Sequence, residues 1–313
     1  MTAPALANNG ATARRRPGGS AEGRLMPLML LLPGIIVLMT VVGFPMLYSL
    51  YLSFTNYTLT TARNFHFVGL EQYITLAQDP IFWQAFGRTV LFMTLAVNIE
   101  FIIGMFIAQL MAKAIRGRGA MRTIIMMPMM FAPILIGFMF KWVFNAEVGL
   151  VNSFLSTILG QTVVIPWLIH VPLGFISLLV AEIWMSTPFM VIILEAGILS
   201  LPTEPFEAAE VDGASGWQKF RMLTLPMIMP FIYTAMAIRS LDLARVYDVV
   251  RIMTDGGPGN RTEMIWTYVY RLSFNGQNYA LGSAMSYVTV AISFLFTWYL
   301  FRNVMKSRWE GKA

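Results

Sequence analysis

Six long apolar segments constrain this chain more than any other feature of its sequence. Each is about 20 residues long, which is the length an α-helix needs to cross a bilayer. They cover approximately residues 28–52, 89–111, 123–143, 168–194, 227–246 and 281–301. Only 12% of the residues are charged, whereas soluble globular domains carry about 25%. The sequence therefore predicts an all-α integral membrane protein with six transmembrane helices.

Basic residues are distributed unequally between the two sides that these segments define. Four Lys or Arg residues precede the first segment, four follow the second, two follow the fourth and four follow the sixth. The loop between the third and fourth segments has none. Since basic loops stay in the cytoplasm, both termini are predicted to be cytoplasmic. Residues 1–24 are predicted to be a disordered basic tail rather than a cleaved signal, and residues 25–313 the transmembrane domain.

Several chemistries are not expected in this chain. It contains no cysteine and only two histidines, so neither thiol catalysis nor a Cys- or His-based metal site is predicted. The basic residues lie at the ends of apolar segments, which indicates membrane orientation rather than nucleic-acid binding. A nucleotide-binding loop would end in Gly-Lys-Ser/Thr, but the one Gly-Lys pair, Gly311-Lys312, is followed by Ala313. We therefore expect no catalytic site and no cofactor in this chain.

The polar loop after the fourth segment, residues 198–226, has the local signals of two short helices joined by a turn. Pro205 suits a first helical turn, and Glu207 and Glu210 flank good helix formers. Gly213 is predicted to end this first helix. Ser215 and Gln218 have the spacing of a capping box that begins a second helix, and Leu225-Pro226 is predicted to end it. This segment resembles a docking surface for a soluble partner.

The same loop carries the motif of a known family. It reads Glu-Ala-Ala from Glu207, then three residues, Gly213, nine residues, and Leu223 before Leu225-Pro226. This pattern resembles the signature of binding-protein-dependent ABC importer permeases, with Leu223 in place of the more usual Ile. The resemblance implies the type I importer permease fold, in the cytoplasmic membrane of a bacterium or archaeon. It assigns ATPase coupling to the residues Glu207, Ala208, Ala209, Asp212 and Gly213.

The resemblance also implies partners. Six helices are half of what such importers use, so a second, related permease subunit is expected, as a heterodimer. A dimeric cytoplasmic ATPase would bind ATP and Mg²⁺, and an extracytoplasmic binding protein would deliver the solute. Further matches resemble the carbohydrate-transporting, maltose and glycerol-phosphate branch of the family. One of them, Gly256-Gly257-Pro258, is predicted to be a tight external turn at the rim of the pathway.

Ionisable residues inside apolar segments mark a candidate solute pathway, because such residues are costly in a membrane. They are Glu100, Lys141, Glu182, Glu195, Arg239 and Asp242. Arg239 and Asp242 share a helix face, so they either pair with each other or, with Glu182, line a wet path for a hydroxylated solute. By resemblance to maltose-type permeases, the pathway residues are Glu182, Met185, Ser186, Phe189, Arg239, Asp242, Leu243 and Val246.

Two other functions, secondary transport and enzyme catalysis, compete with the importer hypothesis. A proton-coupled secondary transporter would use Glu182 or Asp242 as a relay, but it leaves the loop 198–226 unexplained. A membrane enzyme would require a catalytic constellation, which the sequence does not offer. The sequence leaves the solute open among sugars, polyols, oligosaccharides and glycerol phosphate, and Arg239 admits an anion.

Overall fold

The computed structural model describes residues 21–113 and 117–310 of the chain. In these residues the secondary structure is helical, apart from one antiparallel bridge between Thr55 and Phe67. The chain divides into two compact units, Met1–Ser49 and Leu50–Ala313.

The first unit is helical throughout its described residues. Helix α1 covers Ala21–Leu38, a π-helical turn covers Met39–Gly43, and α2 (Phe44–Leu52) begins in this unit and ends in the second. Apolar side chains are exposed all around these helices, with Leu30 75% and Leu47 68% exposed. A helix that is apolar on every side is suited to lipid rather than water. The predicted tail lies outside the described residues as far as residue 20, and residues 21–24 belong to α1.

The second unit contains thirteen further α-helices within the described residues. They are α3 (Glu71–Gln78), α4 (Pro80–Ala112), α5 (Arg118–Met126), α6 (Pro133–Val143), α7 (Leu150–Leu159), α8 (Leu173–Leu199), α9 (Glu204–Val211), α10 (Gly216–Lys219), α11 (Leu225–Met227), α12 (Met229–Leu243), α13 (Asp248–Met253), α14 (Ile265–Tyr270) and α15 (Tyr279–Glu310).

Three helices in the described part of the chain are long and apolar enough to cross a membrane. They are Met29–Leu52, Pro80–Ala112 and Leu173–Leu199, which correspond to the first, second and fourth predicted segments. A fourth crossing arises if Gly216–Met227 and Met229–Leu243, which meet at an angle of 65°, count as one bent span. The fifth predicted segment lies in the second arm of this bent pair, and the sixth lies within α15.

The third predicted segment, residues 123–143, is divided instead of forming one helix. Helix α5 ends at Met126, a 3₁₀ turn covers Pro128–Met130, and α6 begins at Pro133. Pro128 and Pro133 each occupy a first helical turn, where the missing N–H leaves no hydrogen bond unmade. By contrast, Pro188 lies inside α8 without ending that helix.

Helices α4, α8 and α12 form the centre of the second unit. Buried apolar side chains from all three helices, among them Phe92, Leu178 and Leu243, belong to one hydrophobic cluster. At Gly104 the backbone of α4 comes so close to α8 that an added Cβ would lie 2.7 Å from the Cβ of Met190. Small residues allow this kind of close helix approach in membranes, where packing rather than water exclusion holds helices together.

Replacement of Gly104 by Ala is expected to lower stability, although Ala is the better helix former. Gly87 is the matched control, because it lies in the same helix and an added Cβ there would meet no atom within 4 Å. Gly87→Ala is expected to raise the free energy of unfolding by up to about 1 kcal/mol. Gly104→Ala is expected to lower it by about 1–3 kcal/mol through overpacking. Thermal unfolding of the purified protein in detergent measures both, and equal shifts would contradict the close α4–α8 approach.

Candidate functional site

The elbow segment, residues 200–227, has the helix–turn–helix geometry that its sequence predicts. Pro205 lies in the first turn of α9, and α9 ends before Gly213, whose φ is +74°. The N–H of Gly213 donates to the carbonyl of Glu210 (3.0 Å), and the N–H of Ala214 donates to that of Ala209 (2.8 Å). These two bonds form a Schellman motif, which requires a left-handed residue and so favours glycine.

The second arm of the elbow segment begins with the predicted capping box. The Ser215 hydroxyl accepts from the Gln218 N–H at 3.3 Å, and the Gln218 side chain accepts from the Ser215 N–H at 2.7 Å. Lys219 Nζ lies 2.6 Å from Glu210 Oε1 and joins the two arms. This contact lowers the pKa of the Glu210 carboxyl. The elbow is therefore held in one shape by local bonds.

The second arm ends at Met227, one residue beyond the Leu225-Pro226 pair that its sequence predicts as its end. A π-helical turn over Phe220–Thr224 continues into α11, and the bend comes at Ile228. Pro226 lies in α11, directly after this π-helical turn and two residues before the bend. The elbow segment thus leads through this bend directly into α12.

The surface of the elbow segment combines acidic and apolar side chains. Of the five predicted coupling residues, Glu207, Ala208, Asp212 and Gly213 are exposed, and Ala209 is half-buried. Val211 is 89% exposed and Trp217 is 67% exposed. An added Cβ at Gly213 would meet no atom within 4 Å, so space is open around the turn.

Two contacts anchor the helices on either side of the elbow segment. Near the end of α8, the buried Glu195 binds Arg118 Nη2 at 2.7 Å and Arg122 Nη2 at 2.9 Å, both from α5. Gly197 lies against Phe231 of α12, since an added Cβ would be 2.8 Å from the ring. The sequence marks Glu195 as a costly buried acid but does not identify its partners, which are 77 and 73 residues away.

The turn at Gly256, Gly257 and Pro258 is tightly packed. Gly256 has a φ of +75°, and the Gly257-Pro258 peptide bond is cis. The Thr262 hydroxyl donates to the Gly257 carbonyl at 2.6 Å. An added Cβ at Gly256 would lie 2.5 Å from the buried carboxylate of Glu263. The turn contributes Gly257 and Pro258 to a cavity of about 520 Å³ that Lys141 and Trp167 also line.

A second cavity, the charged cavity, has a volume of about 400 Å³ and collects most of the predicted pathway residues. Its lining residues are Pro133, Glu182, Met185, Arg239, Asp242, Arg245, Val246, Tyr247, Asp248 and Val249. Of the other pathway predictions, Leu243 is buried in the core, and Phe189 is outside the lining. Ser186 is buried and donates to Glu182 Oε1 at 3.1 Å.

The charged cavity rests on a network of buried ion pairs, which we call the arginine network. Arg239 from α12 donates through Nε and Nη2 to both carboxylate oxygens of Glu100, at 2.8 and 2.9 Å. Its Nη2 also donates to Glu182 Oε1 at 2.9 Å. Arg239, Glu100 and Glu182 are 5%, 0% and 4% exposed. Charges this deep are tolerated only when they are paired and hydrogen-bonded.

Of the contacts between Arg239 and acidic side chains, the one with Asp242 is the longest. Arg239 Nη1 lies 3.7 Å from Asp242 Oδ2, too far for a hydrogen bond. Asp242 instead accepts from Arg245 at 3.0 Å and remains partly exposed. The three-residue spacing along α12 favoured a pair between Arg239 and Asp242. In the structure Arg239 instead donates to Glu100 of α4 and Glu182 of α8. Within the described residues, no group of three or more His, Cys, Asp or Glu side chains is arranged to hold a metal ion.

Comparison with known proteins gives a consistent result for sequence and fold. Residues 100–306 match the family described as "Binding-protein-dependent transport system inner membrane component". The chain is 33% identical to the trehalose/maltose transport system permease protein MalF of Thermococcus litoralis, over 88% of this chain and 92% of the relative. It is 32% identical to the trehalose transport system permease protein SugA of Mycobacterium tuberculosis H37Rv, over 90% of each.

A solved structure shares the fold. A chain of a bacterial ABC transporter involved in the import of the acidic polysaccharide alginate superposes with a TM-score of 0.78 and 22% sequence identity. The match covers 91% of this chain and 96% of the other. The helical architecture described above is therefore that of an ABC importer permease.

Replacement of Glu195 by Gln is expected to destabilise the protein, because it removes the charge that two arginines share. Hydrogen bonds to charged groups contribute about 1.5–3 kcal/mol, and we expect a loss of that size in the free energy of unfolding. Glu210→Gln is the matched control, since it removes an exposed carboxylate with one lysine partner and exposed pairs contribute little. Thermal unfolding in detergent would contradict this assignment if both variants behaved alike.

Proposed function

Because this chain belongs to the family of binding-protein-dependent transport system inner membrane components, we propose that it forms half of a solute pathway driven by a separate ATPase. As a member of this family it is a permease subunit of an ABC importer. The elbow segment carries the proposal, since its Glu-Ala-Ala and Gly213 positions form a rigid, exposed turn between two membrane helices. Its proposed role is to dock on the ATPase and pass that subunit's movement to α8 and α12.

The geometry of the elbow segment supports this coupling role in two respects. Local caps and the Lys219–Glu210 pair hold it rigid, so force applied at Gly213 is not lost in a flexible loop. Its two ends continue into α8, anchored through Glu195, and into α12, which carries Arg239. Movement of the elbow would therefore reach the charged cavity through α12.

We further propose a chain with six membrane crossings and both termini in the cytoplasm. The pairing of Glu195 with Arg118 and Arg122 supports this topology, because it brings the loop after the second predicted segment beside the loop after the fourth. Both loops are basic, as expected for the cytoplasmic side. The elbow segment would then face the ATPase, in the cytoplasmic membrane of a bacterium or archaeon.

The proposed partners follow from the family and from what this chain lacks. A dimeric ATPase would bind ATP and Mg²⁺, because the sequence has no phosphate-binding Gly-Lys-Ser/Thr loop. A second, related permease would complete the pathway, and an extracytoplasmic binding protein would dock at the rim near Gly256 and Pro258. No cofactor is proposed for this chain itself.

The proposed solute is a sugar, polyol or related hydroxylated compound. The relatives named for trehalose and maltose transport support this class. The charged cavity suits it chemically, since carboxylates such as Asp242 accept hydrogen bonds from hydroxyl groups and guanidinium groups donate to hydroxyl oxygens. Met185 and Val246 provide apolar surface beside them. A proton-coupled transporter is not favoured, because it gives the elbow segment no role.

Solute uptake is expected to stop when the nucleotide site of the partner ATPase is disabled. The assay uses vesicles that contain the complete transporter, with its binding protein and a sugar such as trehalose. A vesicle with an imposed proton gradient but an inactive ATPase should show no uptake above the protein-free control. Uptake that persists on the gradient alone would establish the secondary-transport alternative.

Gly213→Tyr is expected to abolish ATP-driven uptake while the chain still inserts into the membrane. The larger side chain meets open space within this chain, so only a docked ATPase would collide with it. Gly160→Tyr is the matched control, because Gly160 also has a positive φ (+64°) and open surroundings. Both variants bear a similar backbone strain of roughly 1–2 kcal/mol. Co-purification of the ATPase and uptake rates should fall for Gly213→Tyr only, and normal transport in that variant would overturn the docking role.

A further inference from the structure

The buried guanidinium of Arg239 is bound by two acids, which use three of its five N–H donors. Its Nε and Nη2 atoms donate to Glu100, and Nη2 donates to Glu182 as well. Nη1 points toward the carboxylate of Asp242, at 3.7 Å. The two-point contact with Glu100 is the geometry in which a guanidinium binds an ionised carboxylate most strongly. The charge of Arg239 is therefore neutralised by the acids around it, while its Nη1 atom stays available at the cavity.

The charged cavity as a whole has an acidic balance. Its lining contains the acids Glu182, Asp242 and Asp248 and the cations Arg239 and Arg245. With every group ionised, the lining carries a net charge of −1, and Glu100 behind it brings the total to −2. A concave site with one sign of excess charge concentrates ions of the opposite sign and repels ions of the same sign.

We infer that the charged cavity admits neutral or cationic polyhydroxylated solutes and disfavours anionic ones, and that Glu100 sets this preference by neutralising Arg239. This inference rests on the proposed place of the cavity in the solute pathway. Glu100 is completely buried and does not line the cavity, so it is a positioning residue. It reaches the solute only through Arg239, whose charge it cancels and two of whose donors it occupies.

A role confined to helix packing would predict something different. Glu100, Glu182 and Arg239 join α4, α8 and α12, so removal of any one of them disturbs the packing. If packing were their only role, Glu100→Gln and the double variant Glu100→Gln/Arg239→Gln would leave the charge preference of the cavity unchanged. If charge is the role, the single variant releases a positive charge beside the cavity, and the double variant removes it again.

The absence of cysteine from the chain allows the potential of the cavity to be measured without knowledge of the solute. Met185 lines the cavity, and Met185→Cys places one thiol there. The intact transporter is treated with methanethiosulfonate reagents of similar size, one a trimethylammonium cation and one a sulfonate anion. The rate with each reagent is divided by the rate of the same reagent with a free thiol in solution. The same complex without the Met185→Cys substitution gives the background rate.

The expected result is a faster reaction with the cation, by about tenfold, which reflects the local potential of an acidic cleft. In the Glu100→Gln background this ratio should fall at least about threefold, because a buried positive charge is no longer cancelled. In the Glu100→Gln/Arg239→Gln background it should return to the parent value or exceed it. Glu182→Gln, which keeps the Glu100–Arg239 pair, should also lower the ratio.

The possible outcomes separate this inference from the proposed function. A reactive thiol with no charge preference, or one whose preference is the same in all variants, overturns the inference and leaves the pathway proposal standing. A thiol that reacts with neither reagent in any nucleotide state removes the cavity from the pathway and overturns both. If Glu100→Gln does not assemble, Glu182→Gln still tests the acidic balance: an unchanged ratio overturns the inference, and a lowered ratio supports it.

Discussion

The ion pairs of Arg239 with Glu100 and Glu182 are the interaction on which the centre of this protein depends. They join three helices that are otherwise held by apolar contacts, in surroundings where charges are poorly solvated and pair strongly. Removal of one partner from such a buried pair typically costs about 3–5 kcal/mol, because the remaining charge is left unpaired. The network therefore fixes the relative register of α4, α8 and α12 and shapes the wall of the charged cavity.

The same helices connect that cavity to the elbow segment. Helix α8 carries Glu182 along its length and Glu195 near its end, and α12 carries Arg239 beyond the bend at Ile228. Gly104 lets α4 approach α8 closely, and Gly197 of α8 leaves room for the Phe231 side chain of α12. The cavity and the elbow segment thus lie on the same two rigid helices, which is the arrangement a mechanically driven permease needs.

Local signals in the sequence predicted the elbow segment well. The capping box at Ser215, the stop at Gly213 and the first-turn Pro205 each depend on neighbours within a few residues, so they were readable directly. Leu225-Pro226 likewise marks the end of the second arm to within one residue. The third apolar segment was predicted as one helix, but it is divided beside Pro128 and Pro133. Hydropathy counts apolar residues and does not reveal such breaks.

The sequence by itself determined that this chain belongs in a membrane, that it carries a helix–turn–helix elbow and that certain buried charges need partners. These conclusions rest on composition, spacing and short-range chemistry. Only the tertiary structure decided which charges pair. The Nε and Nη2 atoms of Arg239 donate to Glu100, 139 residues away, rather than to Asp242 on the same helix face. Helix packing, which no single segment encodes, brought the distant acid within hydrogen-bonding distance and left the nearer one at the cavity surface.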